Sequence, residues 1–278
     1  MRGVMRLWLA GAALVSMAGM PAQASAAVAP APVPAPVPAP AGAAAPAAVK
    51  AFDESGVSTG TGAAFTAAQW TAIASAGFRL FITDPVDWSS ECSDANCTKP
   101  VSTCTIDPAA VAQIQDASNA GLDYAVYTRN PNCLTAAIKG LSSTLQAHLS
   151  FAVIDIETDP SVPPSQALVD GVTALGQTPV FYSYQGAWQS LTGNSAAYDS
   201  YPLLDGEVPD WNAAFPAAYP PGFPTLVPMP NPYGGWSGPA DIEQQQCCTD
   251  IAGINDPSHQ VDLDAVNASW LASLPHQN

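Results

Sequence analysis

Two carboxylates separated by one residue stand at the end of an apolar run in the middle of the chain. The run is Phe151–Ile156 (FAVIDI); Asp155 lies within it and Glu157 follows directly. Residues two apart in a strand point to the same side, so both carboxyl groups should face one cavity. Repulsion raises the pKa of one, which can act as a general acid while the other stays ionised. We expect Glu157, further along the strand, to be the acid and Asp155, deeper, to stabilise positive charge.

Asp53 and Asp262 are two further acids that could join this pair. They fall in the first and last candidate strands, Lys50–Asp53 and Val261–Leu263, near their ends. First and last strands are neighbours in a closed barrel, and reactive residues of α/β barrels lie at the C-terminal ends of strands. The alternative is that Asp53 is an ordinary loop acid, that Asp262 is an exposed residue at a strand end, and that the central pair only caps the loop after it. Their joint placement favours one acidic site, made by Asp53, Asp155, Glu157 and Asp262.

Aromatic side chains at strand ends and in late loops could bind a sugar, because sugar rings have apolar C–H faces that stack on aromatic rings. Trp211 and Trp236 are the strongest candidates, since they lie among Pro and Gly. Taken one at a time, each aromatic residue is more often part of a core than of a binding surface. The predicted substrate-binding residues are Tyr127, Tyr182, Tyr184, Trp211 and Trp236.

Candidate strands and helices alternate through residues 50–270, which is typical of a parallel sheet covered by helices. Eight strands are more economical as a closed barrel than as an open sheet. A nucleotide-binding sheet is disfavoured because Gly60-Thr61-Gly62 lacks the third glycine of the dinucleotide motif. We therefore predict an α/β fold, a single-domain (β/α) TIM-type barrel that is irregular in its last third. The other candidate strands are Phe78–Thr83, Leu122–Thr128, Pro179–Tyr184, Pro202–Val208 and Asp241–Gln246, and the candidate helices are Thr66–Ala76, Asp107–Ala120, Leu134–Ala147 and Pro164–Gly176.

The N-terminal segment of the chain predicts export. Arg2 and Arg6 precede the apolar run Leu7–Met20 and small residues suited to cleavage, the pattern of a signal peptide over residues 1–26. An N-terminal membrane anchor is the alternative, but the run is short for a membrane span. Residues 27–49 carry proline at every second position from 30 to 40, which predicts an extended linker. The barrel would occupy residues 50–278 of a secreted protein without a membrane span once the signal is removed.

Six cysteines, an even number in a chain predicted to be exported, are expected to form disulfides. Six thiols allow 15 pairings, and the sequence does not choose among them. A zinc site is the competing interpretation; it is disfavoured because none of His148, His259 and His276 has finger-like spacing from a cysteine pair. We expect no metal and no cofactor. The disulfide candidates are Cys92, Cys97, Cys104, Cys133, Cys247 and Cys248.

Composition excludes several classes of function. The 278 residues include 7 Lys or Arg and 23 Asp or Glu, for a formal net charge of −16. So few cations cannot neutralise a phosphate backbone, and nucleic acid is not an expected partner. The acidity also argues against docking on an anionic membrane, and a hydrophobic content of 48% argues against disorder throughout. We expect the mature protein to be a soluble monomer.

Several short motifs, in this order, resemble those of glycoside hydrolase family 25, the lysozymes that cut the muramic acid–glucosamine linkage of peptidoglycan. No single motif is specific, but their order and spacing together are fairly so. The matching segments are Ala51-Phe52-Asp53, Asp107–Tyr127, Val153–Glu157 (VIDIE), Gly176–Tyr182, Tyr233–Trp236 followed by Asp241–Gln246, and Val261–Asp264.

The resemblance implies a barrel that acts on peptidoglycan or a related polysaccharide without a cofactor. Glu157 is implied to be the general acid. Asp155 would stabilise the oxocarbenium-like centre or orient the substrate's acetamido group, and Asp53 and Asp262 would position these two and tune their pKa values. Crowding of the acids should keep Glu157 protonated and favour activity below neutral pH.

Two segments depart from the family's pattern. The chain reads Ile82-Thr83-Asp84-Pro85 and then a cysteine loop, where the family usually has a Lys/Arg-x-Thr-Glu-Gly-like run. It reads Leu203–Glu207 (LLDGE) where the family usually has Leu-Trp. These departures favour a second hypothesis, a catalytically silent cell-wall glycan-binding protein on the same barrel, and a related glycoside-hydrolase-like barrel is a sibling possibility. A peptidase is disfavoured because no Ser-His-Asp set or metal-binding histidine pair is visible.

Overall fold

The computed structural model describes residues 47–275, except 56, 58, 59, 61, 95, 96, 207–221, 255 and 256. The predicted signal peptide (1–26), most of the predicted linker (27–49) and Trp211 lie outside the described residues. The first strand begins at Ala48, so the barrel takes up the end of that predicted linker. Within the described ranges, no helix is long and apolar enough to cross a membrane.

Eight strands form a closed barrel in sequence order: β1 Ala48–Glu54, β2 Phe78–Thr83, β3 Asp123–Thr128, β4 Leu149–Asp155, β5 Pro179–Ser183, β6 Leu203–Asp205, β7 Ile242–Thr249 and β8 Val261–Asn267. Strands β1 to β7 pair in parallel, whereas β8 is antiparallel to both β7 and β1. The predicted α/β barrel is confirmed, but the expectation of a parallel sheet is wrong for its last strand. Only residues 250–260 separate β7 from β8, fewer than a parallel crossover needs.

The described helices are α1 Ala67–Ser75, α2 Trp88–Glu91, α3 Pro108–Asn119, α4 Leu134–Gly140, α5 Ser143–Ala147, α6 Gln166–Thr173, α7 Gln185–Thr192 and α8 Ala268–Leu271. The predicted cap of α3 is confirmed, because Asp107 Oδ1 accepts the N–H of Ala109 at 2.8 Å. The single helix predicted over Leu134–Ala147 is two helices. Leu141 is extended there, and the Ser142 hydroxyl caps α5.

Alternate residues of β4 face opposite sides of the barrel wall, and every residue of this strand is buried. Phe151 and Val153 belong to the cluster that fills the barrel, to which each of the other seven strands contributes at least one apolar residue. Ala152 and Ile154 belong to the cluster that includes residues of the covering helices. Asp155 continues the inward series, so its side chain enters the mouth of the barrel.

Three disulfides join the six cysteines as Cys92–Cys97, Cys104–Cys133 and Cys247–Cys248. The prediction of disulfides is therefore confirmed, and the structure selects the pairing. The Cys104–Cys133 bond ties the loop after β2 to the turn that follows β3. The described residues 222–241, between β6 and β7, contain no helix or strand, which agrees with the irregular last third.

Candidate active site

The C-terminal ends of the parallel strands surround a cavity of about 450 Å³, and all four predicted acids line it. Asp53 lies near the end of β1, and Asp155 and Glu157 lie at the end of β4. Asp262 lies at the start of β8, not near its end as predicted. Because β8 is antiparallel to its neighbours, its first residues reach this same mouth, where Asp262 is paired with Asp53. The four acids therefore meet in one place.

One amide links the acids of β1 and β8. Gln244 on β7 donates from Nε2 to Asp262 Oδ2 at 2.9 Å and to Asp53 Oδ2 at 3.2 Å. Its Oε1 accepts a hydrogen bond from the Tyr182 hydroxyl at 3.2 Å, which connects β5 to the same network. The other oxygen of Asp262, Oδ1, accepts the backbone N–H of Cys248 at 2.8 Å. These bonds fix both carboxyl groups against the cavity wall.

Burial raises the pKa of both of these acids. For Asp53 burial is the main cause, and the nearby Asp264 and Asp262 add to it, so that its pKa lies well above the ordinary value. For Asp262 burial raises the pKa to about 6, against the opposing effect of the Cys248 N–H. Near neutral pH, Asp262 is therefore largely ionised, and Asp53 holds its proton more tightly.

Arg129, the residue after β3, lies beside the central pair of acids. Its Nη1 makes an ion pair with the Glu157 carboxylate and is 4.0 Å from Asp155 Oδ2. Burial and then Glu157 raise the pKa of Asp155 well above its ordinary value. Burial also raises the pKa of Glu157, but Arg129 and a hydrogen bond with Tyr182 oppose that rise. The expected crowding of carboxyl groups is present, and the Arg129 guanidinium partly offsets its effect on their pKa values.

The sequence did not predict Arg129, because a single arginine after a strand has no pattern to distinguish it. Its backbone is held by two buried acids that belong to the departure from the family pattern. Asp84, just after β2, accepts the N–H of Arg129 at 3.2 Å and that of Val86 at 2.8 Å. Glu91 at the end of α2 accepts the N–H of Asn130 at 3.4 Å.

Asp84 and Glu91 share a hydrogen bond whose proton belongs to Glu91. Burial and then the neighbouring Asp84 raise the pKa of Glu91 to about 11. Burial raises the pKa of Asp84 only to about 6, since the bond from Glu91 and two backbone N–H groups stabilise its charged form and oppose the rise. At neutral pH the pair is therefore a carboxylic acid that donates to a carboxylate.

The predicted aromatic residues separate into three groups. Tyr127 and Tyr182 line the cavity. Tyr184 does not; its hydroxyl lies 3.2 Å from Thr158 Oγ1, in the loop after Glu157. Trp236 is only 8% exposed and packs against Trp188 at 4.8 Å between ring centroids, so its prediction as an exposed stacking residue is not supported. Its N–H donates to Tyr201 O at 2.9 Å, which satisfies it within the core.

One group of side chains among the described residues could in principle hold a metal ion. Its ligand atoms lie within 4.8 Å of each other, and it consists of Cys247, Cys248 and Asp262. The two sulfur atoms are joined in a disulfide and offer no thiolate. This set therefore fits a structural role better than metal binding.

No family model matches the chain, and no curated protein matches it. Four solved chains are similar to it, among them the following two. One is a muramidase from Trichobolus zukalii, with 18% sequence identity, a TM-score of 0.44, and coverage of 79% of this chain and 94% of that one. The other is a glycosyl hydrolase 25 of Streptococcus pneumoniae, a virulence factor participating in host cell invasion, with 14% identity, a TM-score of 0.48, and coverage of 80% and 88%. Both TM-scores are below 0.5, so these similarities do not establish a function for this chain.

Proposed function

We propose that this protein is a secreted glycoside hydrolase that cleaves the β-1,4 linkage between muramic acid and glucosamine in peptidoglycan. The observation that supports it best is the meeting of Asp53, Asp155, Glu157 and Asp262 in one cavity. Glycosidases need an acid for the leaving oxygen and a carboxylate near the developing positive charge. A cavity with several coupled carboxyl groups supplies both.

The roles follow from depth and exposure. The side chain of Glu157 is 14% exposed and that of Asp155 is 3% exposed, so Glu157 is better placed to reach a glycosidic oxygen. Glu157 would give its proton to that oxygen as the bond to the sugar carbon breaks. Asp155, beneath it, would stabilise the oxocarbenium-like centre or orient the acetamido group. Arg129 would stabilise the carboxylate that Glu157 becomes, and thereby make it a stronger acid.

The remaining lining residues would hold the sugar. Tyr127 and Tyr182 present rings and hydroxyl groups to the cavity. Burial raises the pKa of both phenols well above the ordinary value, so they stay neutral hydrogen-bonding groups. Asp53 and Asp262, held by Gln244, would keep the central acids in place. Trp236 and Tyr184 have no part in this proposal, because they lie outside the cavity.

The test is the variant Glu157→Gln, which keeps the shape of the side chain but has no proton to donate. We expect at least about a 100-fold loss in the clearing of purified cell walls and in the release of reducing ends. Asp170→Asn, an exposed acid on α6, is the matched control and should keep full activity. Circular dichroism would confirm that both variants are folded. Wall lysis by Glu157→Gln at the wild-type rate would contradict the assignment.

One observation favours a second function, binding of wall glycan without cleavage. The ion pair with Arg129 stabilises the ionised form of Glu157, which cannot donate a proton. A silent protein would sediment with purified walls and release no reducing ends. That result with the wild-type protein, over the pH range 4 to 8, would replace the hydrolase proposal by this one.

A further inference from the structure

The disulfide between consecutive cysteines is part of the wall of the candidate active site. Cys248 lines the cavity, and its backbone N–H donates to Asp262 Oδ1 at 2.8 Å. Cys247 and Cys248 are adjacent in sequence, so this disulfide cannot tie distant segments together. Its effect must be local, on the backbone of the two residues that it joins.

That backbone forms an irregularity in β7 opposite Asp262. Gln246 pairs with Leu263 and Thr249 pairs with Val261, so three steps along β7 correspond to two steps along β8. The extra residue is a β-bulge, a feature that redirects backbone and side-chain groups next to active sites. Cys248 has a φ of 61°, a left-handed conformation that residues other than glycine rarely adopt.

We propose that the Cys247–Cys248 disulfide is a positioning device, which holds the bulge of β7 so that the Cys248 N–H points into the cavity at the Asp262 carboxylate. A bond between consecutive side chains restricts the dihedral angles of both residues and of the peptide between them. It therefore stabilises a backbone conformation that a free cysteine would leave for the extended one. In a regular strand, the N–H at this position would either hydrogen-bond to the backbone of the neighbouring strand or point away from that strand, instead of donating to a side-chain carboxylate in the cavity.

The consequence is electrostatic. Asp262 faces Asp53 on β1, Asp264 on its own strand, Glu157 after β4 and Tyr182 on β5, all of them acidic groups. Gln244 and the Cys248 N–H each donate to one of its oxygens and stabilise its charge. Without the N–H, Oδ1 would lose a donor that stabilises its charge, and the carboxyl group would keep its proton to higher pH.

The test is a titration of the Asp262 carboxyl group by NMR in protein labelled with ¹³C-aspartate. The resonance is identified by its absence from the Asp262→Asn spectrum. In the native protein the midpoint should lie at about 6, and the amide proton of Cys248 should titrate with the same midpoint. An amide that does not respond overturns the proposal without the need for any variant of the disulfide.

Two variants then separate the crosslink from the backbone conformation. In Cys247→Ser/Cys248→Ser, the Asp262 midpoint should rise by about one pH unit. In Cys247→Ser/Cys248→Gly, the midpoint should stay near that of the wild type, because glycine adopts a φ of 61° without a crosslink. If the serine variant titrates as the wild type does, or if the glycine variant shifts as far as the serine variant, the proposal is wrong.

The matched control is Cys92→Ser/Cys97→Ser, which removes another short-range disulfide whose cysteines do not line the cavity. It should leave the Asp262 midpoint unchanged. The inference rests on the proposed function only for the use that catalysis makes of Asp262. The titration does not measure activity, so a protein that fails the wall assay but passes the titration loses the hydrolase proposal and keeps this one.

Discussion

At the scale of single residues, the arginine beside the central acids sets the chemistry that they can perform. Two coupled carboxyl groups in an apolar barrel would both resist ionisation, and neither would be a strong acid. Arg129 lowers the pKa of Glu157 from what burial alone would give. The same guanidinium lies 4.0 Å from Asp155 and also favours its charged form. One cation thus lets the pair hold a proton that can still be released.

Replacing Arg129 by methionine, a neutral side chain of similar length, is expected to raise the pKa of Glu157. The protonated form needed by a general acid would then persist to higher pH. We expect the alkaline limb of the pH–rate profile for wall lysis to move up by about one unit. Arg79→Met, which removes an exposed arginine of β2, is the control and should leave the limb in place. A limb that stays or moves to lower pH in Arg129→Met would contradict the role given to the guanidinium.

At the scale of elements, the loop after β2 is the part of the barrel that holds Arg129. Its short helix α2 brings Glu91 to Asp84, and the Cys104–Cys133 bond fastens the loop beside the turn after β3. Asp84 then accepts the N–H of Arg129. The segment that departs from the family pattern therefore holds the backbone of Arg129, a residue of the candidate site.

Because the proton is on Glu91, two conservative variants are expected to differ in their unfolding free energy. Glu91→Gln keeps a donor for Asp84 and an acceptor for Asn130, so we expect it to lower the unfolding free energy by less than the roughly 1 kcal/mol of one hydrogen bond. Asp84→Asn has only one oxygen for the N–H groups of Val86 and Arg129, and should cost about 1–3 kcal/mol. Denaturant unfolding at pH 7.5 measures both. Equal costs, or a larger cost for Glu91→Gln, would mean that the proton is not on Glu91.

The order of the strands and helices could be predicted from the sequence, but the direction of the last strand, β8, could not. Apolar runs alternating with capped helices predict the barrel, because each pattern reports local burial. The antiparallel course of β8 depends on the length of its connection to β7 and on closure against β1, which no local pattern contains. The break between α4 and α5 was missed for a simpler reason, since Ser142 as a cap resembles any serine within a helix.

At the scale of the whole molecule, the acids that meet at the mouth were predictable because strand ends converge there whatever the details of packing. Contacts between side chains that lie far apart in the sequence could not be predicted in this way. Gly206 is an example: a Cβ there would lie 2.6 Å from the Tyr182 hydroxyl, so the residue after β6 makes room for a side chain of β5. Asp264 is another, because an acid in the middle of a strand gives no sign of whether it faces water.

Asp264 leads to a prediction about the stability of the entire barrel. It is fully buried, and neither of its carboxyl oxygens has a hydrogen-bond partner among the described residues. Burial, with Asp262 adding to it, raises its pKa well above the ordinary value, and the pKa values of Asp53 and Asp155 are raised too. In the unfolded chain these groups titrate near pH 4. Their contribution to stability is therefore full below that pH and is lost as the pH rises towards their folded pKa values.

We expect the Tm of the wild-type protein to fall between pH 4 and pH 8, and Asp264→Asn to reduce that fall. An asparagine of the same shape has no charge to bury, so at pH 8 the variant should melt roughly 5 °C above the wild type, while at pH 4 the two should agree closely. Asp170→Asn, an exposed acid, should follow the wild-type curve. Thermal melts followed by circular dichroism across this range decide the matter. A wild-type Tm that rises towards pH 8, or an Asp264→Asn curve parallel to it, would show that the buried carboxyl groups do not control stability.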